Sequence, residues 1–197
     1  ENSKSFPKES GAELRLWFGK LANWMVDSKN GKEEATAKNN HAVAFYLQLA
    51  VYADFVNDAE KLKECRRQYK EIFISKQMAA DGGFPLELSR TKPYGYSIFQ
   101  LDNMATLCQV LSTKEDNLWE FKASDNRGIS LGLVFLYPYL EDKLKWKLKP
   151  DVQAWEGWGV ALGEQRYLDL WKRLPADPTD AEVQRNIAIT QPLLWMK

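Results

Sequence analysis

The 197 residues carry 27 basic and 27 acidic side chains, so no net field draws the chain to nucleic acid or to an anionic membrane surface. With 45% apolar and 27% charged residues, the composition is that of an ordinary globular protein able to bury a sizeable core. Two cysteines, Cys65 and Cys108, provide neither a disulfide framework nor a metal cluster, and no apolar run reaches the ~18 residues of a transmembrane helix.

Taken in order, residues 11–26 predict an amphipathic helix, with Leu14, Trp17, Phe18, Leu21, Trp24 and Met25 at helical spacing. Residues 27–38 read as a polar connection broken at Gly31. From Asn40 to Phe55 follows a helix that is apolar on nearly every side, which places it inside the protein. Asn57-Asp58 can cap a third helix over 59–77, whose charged face makes it an outer helix. Residues 79–95 hold Gly82-Gly83, Pro85, Pro93 and Gly95 and form a long broken loop, a feature more often functional than not. Helix resumes over 96–111, and Asn126 can cap another almost wholly apolar helix, Ile129–Tyr137, ended by Pro138. A tryptophan-rich stretch with Trp146, Trp155 and Trp158 leads into helices at 159–173 and 179–189. No strand-like alternation of useful length appears. The expected class is therefore all-α, and the alternation of buried with amphipathic helices fits an α/α toroid, though helical bundles share that pattern.

Three polar groups stand out from this framework. Asn40-His41 opens the buried helix, with Gln48 and Tyr52 seven and eleven residues on from His41 and on its face. His41 is the only histidine, so any imidazole chemistry must use it. The second group is the loop Glu87–Ser97, and the third is the Asp125-Asn126-Arg127-Gly128 turn with the tryptophans beyond it. Each has a plain structural reading on its own: a helix cap, solvated surface, a turn and core aromatics.

Together, Lys-Asn-Asn-His (38–41), Asp-Gly-Gly-Phe-Pro-Leu-Glu-Leu-Ser-Arg-Thr-Lys-Pro-Tyr-Gly-Tyr-Ser (81–97), Asp-Asn-Met-Ala (102–105) and Asp-Asn-Arg-Gly-Ile (125–129) resemble the alginate lyase superfamily. These are α/α-toroid polysaccharide lyases acting on mannuronan and, in some members, glucuronan. The resemblance covers about residues 12–175. It implies a catalytic set of Asn40, His41, Arg90 and Tyr96, with Tyr96 preferred over its near neighbour Tyr94. It further implies a single toroid domain over 1–197 that is an incomplete barrel. Only 40 residues precede His41, whereas the family places half of its fold, including functional residues, ahead of the Asn-His motif. The expected partners are thus an acidic polysaccharide and the missing N-terminal part of the same fold, with no nucleic acid and no membrane. A polymeric substrate implies a periplasmic or secreted protein.

The chemistry explains the residue types. β-Elimination from a 4-linked uronate removes the C5 proton next to a carboxylate that is already negative. That carboxylate must be neutralised before an enediolate-like state can form. Asn40 would donate a hydrogen bond to it and Arg90 would supply full charge. In mannuronate and glucuronate the C5 hydrogen and C4 oxygen share a ring face, so Tyr96 could serve as both base and acid. A tyrosine titrates near ~10, so as a base it needs positive charge nearby, expected from Arg90 and a hydrogen bond from His41. For guluronate, His41 would be the base and Tyr96 the acid. Protein donors do the neutralising, so neither metal nor cofactor is expected. Gln48, Tyr52, Lys92, Tyr94, Arg127, Trp155 and Trp158 are the residues expected to bind flanking sugars. Two rival readings remain: a glycosaminoglycan lyase, which would call for more clustered basic residues, and a non-catalytic glycan-binding or structural helical domain.

Overall fold

The computed structural model describes residues 7–148 and 165–173, and all regular structure among them is helical. Eight α-helices follow in order: α1 (Lys8–Asp27), α2 (Lys29–Ala35), α3 (Asn40–Val56), α4 (Ala59–Gln68), α5 (Pro85–Leu88), α6 (Pro93–Leu111), α7 (Ile129–Glu141) and α8 (Gln165–Trp171). The architecture is an all-α arc of an α/α toroid. Its centre is the pair α3 and α6, which pack on each other, with α1, α2 and α4 against α3, and α5 and α7 against α6.

Sequence chemistry accounts for that centre. Ala42, Val43, Phe45, Tyr46, Leu49, Ala50 and Ala53 leave α3 little polar surface, so it is stable only when surrounded. Leu101, Met104, Leu107, Cys108 and Leu111 of α6 are fully buried. Each such side chain is worth roughly 1.5–3 kcal/mol relative to exposure. Cys65 and Cys108 are buried free thiols. Burial pushes the Cys65 thiol up to about 12, so it remains protonated and acts as a small apolar residue.

Helix α4 lies outside, capped by Asp58, whose side chain accepts the Lys61 N–H. The pairs Arg67–Glu64 and Arg67–Glu71 run along its solvent face. The helix expected over 59–77 changes character midway. Residues Tyr69–Gln77 form a π-helix, and the Ser75 hydroxyl donates to the Lys70 carbonyl five residues back at 2.6 Å. Such widened turns are uncommon and recur near functional sites.

Several expectations need correction. The supposed connection over 27–38 contains α2, capped by the Ser28 hydroxyl, which accepts the Gly31 N–H at 3.0 Å. Gly31 is not a breaker: it is buried, and a Cβ there would overlap the Met25 carbonyl. Helix α7 is capped at Gly128 rather than Asn126 and runs through Pro138 to Glu141. A mid-helix proline costs about 3 kcal/mol. Here Leu136 before it and Tyr139 after it, packed on Trp146, hold both flanks in the core. The apolar stripe of α1 also divides. Ala22 and Met25 are buried, while Leu14, Trp17 and Trp24 are exposed. The expected helix at 159–173 is described only as α8, and that at 179–189 lies outside the described residues.

The loop between the π-helix and α6 is what brings the second motif to the first. Gly82 turns it with φ +92°, and any side chain there would overlap the Leu131 carbonyl of α7. Pro85 and Pro93 then start α5 and α6, each at the first turn, where a missing N–H costs nothing.

Candidate active site

The three polar residues at the head of α3 have three different tasks. Asn39 is the cap, its side-chain oxygen accepting the His41 N–H at 3.2 Å. Asn40 is 5% exposed and faces inward. His41 points outward, with its side chain about half exposed, and its Nδ1 lies 2.8 Å from Glu34 Oε2 of α2. A carboxylate at Nδ1 favours the tautomer with hydrogen on that nitrogen, which leaves the Nε2 lone pair free to accept a proton.

Asn40 meets Glu87 of α5. The Glu87 carboxylate accepts the Asn40 backbone N–H at Oε1 and its Nδ2–H at Oε2, both at 2.7 Å. Glu87 is 1% exposed, and burying a carboxylate costs several kcal/mol. Two charge-assisted bonds of about 1.5–3 kcal/mol each offset much of that. Arg90, on the turn after α5, places Nη1 3.9 Å from Glu87 Oε2. Its guanidinium in turn lies over the Tyr96 ring, 4.1 Å from the centroid. Asn40, Glu87, Arg90 and Tyr96 thus form one connected chain of contacts, from the first turn of α3 to the first turn of α6. His41 is next to this chain of contacts in sequence, but its side chain pairs with Glu34 on α2.

Comparison with known proteins decides the family. The alginate lyase family model matches residues 1–146. The chain belongs to the alginate lyase family. A solved alginate lyase from Bacteroides ovatus is similar at 28% identity with a TM-score of 0.76. That match covers 97% of this chain and 52% of the other, so this alginate-lyase chain spans about half the length of that relative.

The remaining expected site residues of this family member are distributed unevenly. Gln48 is exposed on α3, its amide donating to the Ala44 carbonyl at 3.3 Å. Tyr52 is half-buried and stacks on Phe18 of α1, centroids 5.1 Å apart. Lys92 is exposed at the residue before α6. Two expected substrate contacts are engaged within the fold. Tyr94 is 4% exposed, its ring set edge-on against Trp146 and its hydroxyl donating to the Tyr139 carbonyl. Arg127 spends its guanidinium on Asp125 and on the Ser75 and Met78 carbonyls at the end of the π-helix. Trp155 and Trp158 lie outside the described residues. Among the described residues no three His, Cys, Asp or Glu side chains gather as a metal site, and no helix is long and apolar enough to cross a membrane.

Sequence reasoning assigned no role to Glu87 or Glu34. The signal for Glu87 was an acidic residue inside the apolar run Phe84–Leu88, three residues before Arg90. Glu34 carried none that distinguished it from Glu33.

Proposed function

We propose that this chain forms part of a polysaccharide lyase that cleaves a 4-linked polyuronate of the mannuronate or glucuronate type by β-elimination. The observation that carries the reading is the connected series Asn40, Glu87, Arg90 and Tyr96, which sets an amide donor, a guanidinium and a phenol beside one another.

The substrate carboxylate takes a hydrogen bond from the second Nδ2–H of Asn40, the first being held by Glu87. Arg90 adds positive charge to the same region. With its carboxylate neutralised, the sugar can carry the charge that develops as the C5–H bond breaks. Tyr96, as phenolate, takes the C5 proton. The electron pair left on C5 forms the C4–C5 double bond, the C4–O bond breaks, and the tyrosine proton passes to the leaving oxygen. The phenolate is restored, one fragment ends in the unsaturated sugar and the other in a new hydroxyl, and no other reactant is needed. Arg90 holds its positive charge over the ring that bears this hydroxyl. His41 takes the phenol proton at its free Nε2, and the N–H so formed donates to the phenolate oxygen; where the C5 hydrogen lies on the opposite face, His41 serves as the base.

The rest of the cleft belongs to the part of the toroid that lies outside the match to the longer relative. The exposed Leu14, Trp17 and Trp24 of α1 support this, being apolar surface that a neighbouring helix would cover. Gln48, Tyr52 and Lys92 reach flanking sugars from this wall, and an extracytoplasmic location, periplasmic or secreted, follows from the polymer.

The test is the ultraviolet absorbance of the unsaturated product, measured with the full-length protein on polymannuronate, alginate and glucuronan. An increase on at least one polymer is expected. A flat trace on all three would sink the reading in favour of a glycan-binding or structural domain.

A further inference from the structure

We propose that Glu87 is the positioning residue of this site: its two carboxyl oxygens fix which edge of the Asn40 amide faces the substrate. The proposal rests on the lyase reading above.

The two oxygens of Glu87 are used on a single residue. One accepts the Asn40 backbone N–H and the other its Nδ2–H, each at 2.7 Å. This fork fixes both side-chain torsions of Asn40. Only the NH2 edge of an amide can face a carboxylate, so the second N–H and Oδ1 have one possible arrangement. With the amide reversed, Oδ1 would occupy the donor's place and repel a uronate carboxylate. Arg90 stands 3.9 Å from the same Oε2, so one buried anion orients the amide and lies beside the guanidinium that the reaction uses.

Packing alone does not ask for an ion here. Glu87 lies between Leu86 and Leu88 on a one-turn helix, at 1% exposure. A neutral side chain of the same shape would fill that space without the desolvation cost. What a neutral amide cannot do is offer an accepting oxygen at both positions of this fork. Glutamine at 87 would accept the backbone N–H and present its own NH2 to that of Asn40, and two facing donors drive the asparagine amide to flip.

Two variants and two readouts test this. In Glu87→Gln, kcat is expected to fall about 10²-fold, the size of losing one oxyanion-site donor. KM should change far less, because ground-state binding relies on the rest of the cleft. In the double variant Asn40→Asp, Glu87→Gln, the carboxylate and amide exchange places, so the hydrogen bonds are restored and melting temperature recovers toward wild type. Activity stays lost, because an anion now faces the substrate carboxylate. Wild-type kcat in Glu87→Gln, or recovery of kcat in the double variant, would overturn the proposal. Failure of both variants to fold would overturn it as well, assigning the bond to stability alone. Side-chain amide NMR gives the second readout, independent of turnover. The Asn40 NH2 should show one hydrogen-bonded proton in the wild type and lose it in folded Glu87→Gln. An unchanged Asn40 signal overturns the proposal, whereas a changed signal in a protein that cleaves none of the polymers supports it and fails the lyase reading instead.

Discussion

The Arg90 guanidinium carbon stands over the Tyr96 ring, 4.1 Å from its centroid, which makes the charge and the phenol a single unit. Removing the charge by Arg90→Ala is expected to lower turnover by roughly 10²–10³. The same change should cost only about 0.5–2 kcal/mol of stability, the range for a cation–π contact. Arg90→Lys keeps the charge but loses the planar fork, so its turnover should fall between the two. Steady-state kinetics beside thermal melts of the three proteins check this, and equal turnover in all three would remove Arg90 from the mechanism.

The two tyrosines near Arg90 can be separated by the same deletion of one oxygen. Tyr96→Phe should lose about 10²–10⁴ in kcat if its hydroxyl moves the proton. Tyr94→Phe should keep wild-type activity and lose about 0.5–1.5 kcal/mol, because its hydroxyl donates to the Tyr139 carbonyl at 3.4 Å. Tyr94→Ala empties a core position against Trp146 and should cost about 3–5 kcal/mol. Denaturant titration and product absorbance on the same samples give both numbers.

Arg127 is expected to act on stability and not on substrate. Arg127→Ala leaves the Ser75 and Met78 carbonyls without their donor and should cost about 1–3 kcal/mol. KM per folded molecule should remain unchanged, and a raised KM would return the residue to the substrate site.

Acid should act on the cap of α4. The Lys61 side chain, with its backbone N–H next, holds the Asp58 carboxyl below the usual carboxylate range. A pKa lowered on folding contributes stability above the unfolded value, and that contribution is lost as pH falls through the folded value. The loss therefore begins below about pH 4. Asp58→Asn keeps a capping oxygen and should flatten this acid limb, whereas Asp58→Ala should cost about 1 kcal/mol at neutral pH. Urea unfolding of the three proteins from neutral pH down to pH 3 is the measurement.

How far the sequence could be read depended on whether a feature repeats. Helix α3 was legible because apolar residues on every side have one physical outcome, and α4 because its charged face repeats at helical spacing. Helix α2 was not, since Lys29–Ala35 has no apolar stripe and is held by Ser28 and a close approach at Gly31. The π-helix was hidden for a related reason: hydrogen-bond register leaves little trace in the pattern of residue types. Within the site, the amide, the guanidinium and the phenol could be nominated from their motifs. Glu87 showed only as an acid inside an apolar run, because its role lies in a partner 47 positions away.

His41 has one more use. As the sole imidazole in the chain, half exposed and paired with Glu34, it contributes a single Hε1 line to a one-dimensional NMR spectrum, with no labelling required. A site that holds this chain's only copy of a residue carries its own spectroscopic beacon. Adding an oligouronate and watching that line move would register the arrival of a ligand at the head of α3, in a protein where no bond is ever cut.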